Sequence, residues 1–222
     1  MLKLVSVIKR RADLSPQEFH AYWLDTHASL VTQLPGLRRY VQCHTLASGY
    51  RKREPAADGV AELWFDDTNA LRALQGSPAL SRVLDDQAQF IAVDGHRQVF
   101  VSEHVIKDGP DCPEGVKNFE FVRRKAGMEP AAFRQHWREI HGPLGAAIPT
   151  VSRYVQNHTR ESAYRDGQQP ALDGLALTWF EDIEAMRQSA GSPEYATTRA
   201  DEENFLTVPL DFVITQEHVV VP

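Results

Sequence analysis

The sequence contains one long motif twice, and this duplication restricts the possible folds more than any other feature. Each copy has a phenylalanine, a tryptophan and a histidine at four-residue intervals, followed by an Arg-Tyr-Val-Gln-x-His-Thr segment. The first copy consists of Phe19, Trp23, His27 and residues 39–45. The second copy consists of Phe133, Trp137, His141 and residues 153–159, at a constant offset of 114 residues. Because order and spacing both recur, we predict two copies of one domain.

The charge and the cysteine content exclude several classes of function. With a net charge of −6, the chain lacks a general positive field for nucleic acid, and its one basic run, residues 51–53, is expected in a solvated loop. Cys43 and Cys112 are too few for a disulfide scaffold and lack the spacing of a metal-binding pair. The sequence shows neither a signal peptide nor a run of about twenty apolar residues. We therefore expect a cytoplasmic protein without a metal, a nucleic-acid partner or a membrane partner.

Both copies predict the same order of elements, namely strand, helix, strand, strand, helix, strand. In the first copy, the capping box of residues 15–18 begins the first helix, and a second cap at Ser77 precedes a helix that runs to Phe90. The predicted strands of this copy cover residues 2–10, 39–46, 60–65 and 98–106. The predicted domains are residues 1–107 and 116–222, joined by a linker at 108–115 with the boundary near Cys112.

This order of elements is that of a ferredoxin-like unit, in which helices cover one face of a sheet. The bare face of each sheet must also be buried, and the other copy offers a matching surface. We therefore predict an α+β protein in which two βαββαβ repeats close one intrachain barrel. The paired histidines of the first helices are expected to face the shared interior of that barrel.

The first helix of each copy carries the main candidates for chemistry. At 100° per residue, the stripe that faces the sheet comprises Phe19, Trp23, Thr26 and Leu30. His27 lies at the edge of this stripe, and the helix is expected to break or kink after His141 because a Gly-Pro pair follows. A histidine near a helix C-terminus is favoured in its charged form, so both histidines are candidates for proton transfer. The alternative to proton transfer is a structural role, in which each histidine caps the helix or lies in the core with a hydrogen bond to a carbonyl group.

The second strand of each copy presents a polar face. Alternation places Tyr40, Gln42 and His44 on one face in the first copy. The second copy repeats this set as Tyr154, Gln156 and His158. These side chains either bind and polarise a substrate carbonyl or form a hydrogen-bonding layer where the halves meet. On the third strands, Trp64 and Trp179 are further candidates for substrate binding, with a place in the core as the alternative.

Four sequence patterns together resemble the EthD family of dimeric α+β barrel proteins, here as a tandem fusion. They are the Phe-x3-Trp-x3-His helix, the His-Gly-Pro-Leu of residues 141–144, the Arg-Tyr-Val-Gln strands and the Trp-Phe strands. The resemblance covers nearly the whole chain and implies a barrel of the dimeric type. Its members include polyketide-type dehydratases and cyclases, muconolactone-type isomerases and accessory proteins of oxidative degradation pathways.

The resemblance also implies roles for particular residues. Lactone-isomerising relatives use a histidine on the first helix and a tyrosine that opens the second strand. The matching pairs here are His27 with Tyr40 and His141 with Tyr154. A third-strand cysteine of those relatives is replaced by Leu63 and Thr178, which argues against thiol chemistry in this chain.

These observations lead to two functional hypotheses and one structural alternative. The first hypothesis is a cofactor-independent lyase or isomerase in which His27 or His141 removes a proton beside a carbonyl group and the second-strand polar residues stabilise the enolate. The second is a non-catalytic accessory or ligand-binding protein of an oxidative degradation pathway. The first would bind a small hydrophobic carbonyl-containing molecule, and the second would bind a hydrophobic intermediate or a partner enzyme. A homodimer of the tandem chain is a further expectation. The alternative is a structural barrel that self-associates through its outer strands.

Overall fold

A computed structural model describes residues 1–110 and 114–222. The first repeat comprises β1 (Leu2–Ile8), α1 (Pro16–Tyr22), α2 (Ala28–Val31), β2 (Leu37–Thr45), β3 (Gly59–Phe65), α3 (Thr68–Leu74), α4 (Pro78–Gln87) and β4 (Arg97–Lys107). The second repeat comprises β5 (Val116–Val122), α5 (Pro130–His136), α6 (Gly142–Ala146), β6 (Arg153–Thr159), β7 (Gly174–Phe180), α7 (Ile183–Ser189), α8 (Pro193–Phe205) and β8 (Asp211–Val221).

The eight strands form a closed barrel in the order β1-β3-β2-β8-β5-β7-β6-β4. In each repeat the third strand lies between the first and the second and runs antiparallel to both. This topology confirms the predicted α+β class and the two βαββαβ repeats in one intrachain barrel. Cys112, where the boundary was predicted, lies outside the described residues.

Contacts within the chain separate two compact units that do not coincide with the predicted domains. The first unit comprises residues 1–100 and 217–222, and the second comprises residues 101–216. The difference arises because β4 and β8, the last strand of each repeat, both extend across a unit boundary. From Val101 onward, for example, β4 pairs with β6 of the second unit.

Helices cover one face of the strands in each unit. The capping box at Ser15 is confirmed, since its side chain accepts a hydrogen bond from the Glu18 N–H and the Glu18 carboxylate accepts one from the Ser15 N–H. In the first unit the helix-facing core is built around Phe19, Trp23 and Phe90, which are at most 1% exposed. Burial of each such aromatic side chain contributes about 2–3 kcal/mol, which is enough to fix the helices on the sheet.

The first helix of each repeat contains a π-turn that the sequence did not reveal. Residues 23–27 and 137–141 are π-helical, and the N–H of the next residue bonds to the carbonyl five residues earlier, at Trp23 or Trp137. A π-turn holds more residues per turn, so each residue advances by less than 100°. The wider turn moves His27 onto the buried stripe at 4% exposure. The placement of Thr26 on that stripe was therefore wrong, and its side chain is exposed.

The helix does not end after the histidine of the second repeat. Residues 142–146 form α6, with Pro143 in its first turn, so of the expected break or kink, the break does not occur. A proline ring is tolerated at that position because the first turn of a helix has no acceptor for its N–H. Because the π-turn ends at His141, Pro143 lies in the first turn of the α-helix that follows.

Candidate active site

Each unit contains a cavity of about 320 Å³ between its helices and its strands. His27 and Tyr40 line the cavity of the first unit, and His141 and Tyr154 line that of the second. The expectation that the histidines face one shared interior is therefore wrong. The π-turn is part of the helix that covers one face of the strands. Each imidazole therefore lies between that helix and the strands, where the cavity is.

A histidine and an aspartate form a hydrogen-bonded pair in each cavity wall. His27 Nδ1 lies 2.7 Å from Asp86 Oδ2, and His141 Nδ1 lies 3.0 Å from Asp201 Oδ2. Because a carboxylate only accepts hydrogen bonds, Nδ1 carries the proton in the neutral ring and Nε2 carries the lone pair. Within the described ranges, no protein group hydrogen-bonds to either Nε2. The arrangement therefore provides a basic nitrogen at each cavity.

The environment keeps both imidazoles neutral. Burial lowers the pKa of His27 and of His141, and the hydrogen bond and the charge of the aspartate oppose this effect without reversing it. The expectation that a helix dipole favours the charged ring is therefore wrong, because desolvation in an apolar wall outweighs it. A neutral imidazole is the form that can accept a proton.

The aspartates are themselves held in place by further hydrogen bonds. The Tyr22 hydroxyl donates to Asp86 Oδ1 at 2.6 Å. Asp201 instead lies 3.0 Å from His136 Nε2 and accepts a hydrogen bond from the Asn204 amide. Burial alone would raise the pKa of Asp201, but hydrogen bonds from Asn204, His136 and His141 together lower it. The carboxylate is thus ionised when it orients the imidazole.

A buried phenol lines each cavity as well. The Tyr40 oxygen accepts hydrogen bonds from Trp23 Nε1 at 3.1 Å and from Gln42 Nε2 at 2.8 Å. In the second unit, Gln156 Nε2 donates to the Tyr154 oxygen at 3.0 Å. Burial raises the pKa of both tyrosines, so each phenol keeps its proton. Neither phenol proton has an acceptor among the described residues, which leaves it available to an oxygen atom in the cavity.

The glutamines and the second-strand histidines form a layer beneath the π-turn. Gln42 Nε2 donates to the Trp23 carbonyl at 2.9 Å, and Gln42 Oε1 lies 2.9 Å from His44 Nε2. The His44 ring stacks on the Trp23 ring at 4.8 Å. Gln156, His158 and Trp137 repeat all three contacts in the second unit. The layer ties strand to helix within one unit, so these histidines and glutamines support the site from outside the two cavities.

Three charged groups that lie close together, Glu120, Arg199 and Glu202, give the second cavity its own charge pattern. Arg199 Nη1 lies 2.8 Å from Glu202 Oε1 and 3.3 Å from Glu120 Oε1. Burial raises the pKa of Glu202 to about 8, and the nearby Glu120 adds to that shift. Burial also raises the pKa of Glu120, against the charge of Arg199. At neutral pH, Glu202 therefore holds a proton that it can donate.

The first cavity has apolar or uncharged residues at the matching positions. Ser6 replaces Glu120, Leu84 replaces Arg199 and Gln87 replaces Glu202. It keeps the His27–Asp86 pair and Tyr40, but none of its described lining residues is a carboxylic acid that could donate a proton. The two cavities therefore share a base and a phenol and differ in the acid.

Both third-strand tryptophans lie on the face opposite to the cavities. Trp64 is adjacent in sequence to Leu63 and Phe65, which face the first cavity, and its ring packs under Lys3 Nζ at 4.5 Å. Trp179 packs under Lys117 Nζ at 4.4 Å in the same way. Strand alternation thus separates Trp64 and Trp179 from the cavity lining.

Sequence reasoning missed the aspartates and the carboxyl pair. Asp86 and Asp201 occur in a repeated Asp-x3-Phe pattern at an offset of 115 residues, and that repetition was a usable signal. Glu120 and Glu202 are carboxylic acids in the second repeat only, where the first repeat has Ser6 and Gln87. Their meeting in one cavity required the packing of α8 on β5.

One cluster of potential metal ligands occurs in the described part of the chain. Sulfur and oxygen atoms of Cys43, Glu62 and Glu217 lie within 4.8 Å of one another. Lys3 Nζ lies 2.6 Å from Glu62 Oε1, so an ammonium group already balances that carboxylate. Glu62 lies between Ala61 and Leu63, which line the first cavity, so strand alternation places its side chain on the other face. The cluster therefore lies apart from the candidate active site.

Comparison with known proteins identifies the domain in both repeats. The family model described as EthD domain matches residues 11–94 and 125–208. An uncharacterized 11.0 kDa protein from the thcB-thcC intergenic region of Rhodococcus erythropolis is 33% identical over 94 residues, which is 42% of this chain and 88% of that protein. That relative therefore has the length of a single repeat.

Solved structures resemble the whole chain in fold. An anthrone oxidase-like protein has a TM-score of 0.70 at 9% identity and covers 100% of this chain and 94% of its own. A putative monooxygenase from Fusobacterium nucleatum has a TM-score of 0.59 at 9% identity, with 99% and 92% covered. At such low identity the likeness concerns the fold alone. Within the described residues, no helix has both the length and the apolar character needed to cross a membrane.

Proposed function

This chain belongs to the EthD family, and from that premise we propose that it is a cofactor-independent lyase or isomerase acting on a small cyclic or polyketide-like carbonyl compound. The observation that carries the proposal is the second cavity, which combines the His141–Asp201 pair with a buried carboxyl group, Glu202, whose pKa burial raises to about 8. A neutral base and a neutral acid in one cavity are the requirements for moving a proton within a substrate.

The first step is removal of a proton from the carbon next to the carbonyl group. His141 Nε2 accepts this proton, and Asp201 stabilises the imidazolium that results. The lowered pKa of His141 keeps the ring unprotonated before the substrate binds. General base catalysis of this kind contributes about 10²–10⁴-fold to the rate.

The second requirement is stabilisation of the enolate oxygen. The Tyr154 phenol lines the cavity and keeps its proton, so it can donate a hydrogen bond to that oxygen. The hydrogen bond that the phenol oxygen accepts from Gln156 polarises the O–H group further. A donor fixed before the reaction begins stabilises the developing charge without reorganisation.

The final step returns a proton to the substrate. Glu202 donates it either to another carbon, which gives an isomer, or to a departing hydroxyl group, which gives a dehydrated product and water. Transfer of the proton from His141 to the Glu202 carboxylate then restores both groups. Arg199, 2.8 Å from Glu202, stabilises the carboxylate during that interval.

The first cavity is proposed to bind a similar apolar compound without completing the reaction. His27 and Tyr40 are present, but Gln87 occupies the position of Glu202. This lack of an acid is the observation that favours the alternative function, an accessory or ligand-binding protein of an oxidative degradation pathway, for the first repeat.

The test follows deuterium exchange into 1-tetralone and 2-tetralone in D₂O by proton NMR. Because each cavity holds a base and a phenol, we expect the wild-type protein to accelerate exchange at the carbon beside the carbonyl and the double His27→Ala/His141→Ala variant to lose that acceleration by about 10²-fold or more. His104→Ala, outside both cavities, is the control. Exchange by the double His27→Ala/His141→Ala variant at the wild-type rate would contradict the proposal. Binding of both ketones without exchange would support the accessory role instead.

A further inference from the structure

A second, polar pocket of about 660 Å³ opens on the second unit, apart from the cavity described above. It is bounded by α5, the π-turn and the loop that follows β6. Its basic and polar lining includes Ser102, His104, Arg134, Arg138, Arg160 and Arg165. His158, from the layer beneath the π-turn, contributes to the same lining. We call this site the arginine pocket.

The arginine pocket carries excess positive charge. Two carboxylates belong to its lining, Glu139 beside Arg138 and Glu161 beside Arg134, and the side chain of Glu161 is 90% exposed. Arg160 and Arg165 form no ion pair with any described residue. Four guanidinium groups thus face two solvated carboxylates, in a chain whose net charge is −6.

One of the arginines is fixed in place before any ligand arrives. Arg134 Nη2 donates to the Thr159 carbonyl at 2.6 Å, and its guanidinium packs against the Tyr164 ring at 5.1 Å. A guanidinium held in this way loses little conformational entropy when it binds an anion.

The histidines of the pocket are neutral. Burial lowers the pKa of His158 to about 3, and His104, Arg134 and Arg138 contribute to the shift. The pKa of His104 is lowered by burial and by the same two arginines. A bound anion would offset the positive potential of those arginines, and the neutral ring of His104 can donate a hydrogen bond to it. The Nε2–H group of His158 already bonds to Gln156 Oε1 at 2.9 Å.

The corresponding surface of the first repeat lacks this charge. Arg134, Arg138 and Arg160 are replaced there by His20, Leu24 and Leu46, and Arg51 alone matches Arg165. Neither the shared fold nor the π-turn therefore requires the cluster. We propose that the arginine pocket binds a small polyvalent anion, recognised through the carboxylate or phosphate oxygens that arginine pairs with.

The test is calorimetric titration of the full chain at low ionic strength with pyrophosphate and with citrate. The variant Arg138→Gln/Arg165→Gln removes two exposed charges, and Arg51→Gln/Arg53→Gln is a control with the same change of net charge in the matching loop of the first repeat. We expect saturable binding to the wild type, a loss of about tenfold for each arginine removed from the pocket, and no comparable loss in the control. The tighter of the two ligands identifies phosphate or carboxylate as the preferred group.

A second readout locates the bound anion and does not depend on the variants. In the wild-type protein, saturation with the tighter ligand should shift the ring resonances of His104 and leave those of His27 in place. The proposal is overturned if neither anion gives saturable heat at millimolar concentration, if both double variants lose affinity equally, or if the His104 resonances do not move. None of these outcomes depends on the proton-transfer activity proposed above.

Discussion

The buried histidine layer should make stability depend strongly on pH. Burial lowers the pKa of His44 to about 2 and that of His158 to about 3, whereas an unfolded chain has values near 6.5. Between these values the unfolded state binds protons that the folded state excludes. The free energy of unfolding therefore falls as the pH falls below about 6.5.

The magnitude follows from proton linkage. Each pH unit in this window is worth about 1.4 kcal/mol for one histidine, so one ring removes about 2 kcal/mol between pH 7 and pH 5. His44 and His158 are 7% and 3% exposed, and solvent relieves little of that cost. Both rings together should lower the free energy of unfolding by about 4 kcal/mol over this range.

Urea unfolding followed by circular dichroism at the two pH values measures this effect. His158→Phe keeps a ring against Trp137 but cannot bind a proton, so its stability should fall by about 2 kcal/mol less than that of the wild type between pH 7 and pH 5. Phe133→Leu, which lies beside His158, serves as a control that lowers stability without changing the pH dependence. If the His158→Phe variant shows the wild-type pH dependence, the assignment of a buried neutral imidazole is refuted.

Three further predictions concern the second repeat. Asp201→Asn should lower the pKa of His141 further, because the negative charge that opposes the effect of burial is lost. An NMR titration of the ring measures this pKa. Glu202→Gln should make the rise in stability from pH 5 to pH 7 about 2 kcal/mol larger than in the wild type, since folding holds a proton on Glu202 that the unfolded chain releases as the pH rises. Urea unfolding at both pH values tests this. Gly174→Ala should lower the free energy of unfolding by about 1–3 kcal/mol, because a Cβ would lie 2.5 Å from the Trp137 ring and would also meet a carbonyl oxygen. The midpoint of thermal unfolding should therefore fall, and an unchanged midpoint would show that the strand moves aside instead.

The candidate site was predictable only in part. His27, His141, Tyr40 and Tyr154 were identified because they recur at fixed spacing, and the structure places all four along cavities. Their catalytic role remains the subject of the experiments above. The aspartate partners were missed, since Asp86 lies 59 residues from His27 in sequence and only helix packing brings them together.

Some failures of the sequence analysis share one local cause. A helical wheel assumes 100° per residue, whereas the turn from Trp23 to His27 is π-helical. Gln42 bonds to the Trp23 carbonyl at the start of that turn, and this contact joins a strand to a helix. Local propensity alone therefore could not show that Thr26 faces solvent and His27 faces the cavity.

The sequence alone determined the duplication, the order of the elements and the α+β class, because these depend on periodicity, caps and spacing along the chain. The tertiary structure alone decided which strand face holds the cavities, which carboxylates reach the imidazoles and where charge collects in the second repeat. Those features depend on contacts between side chains that are far apart in sequence. Burial among such neighbours then sets the protonation of His141 and Glu202, which no property of the isolated residues could indicate.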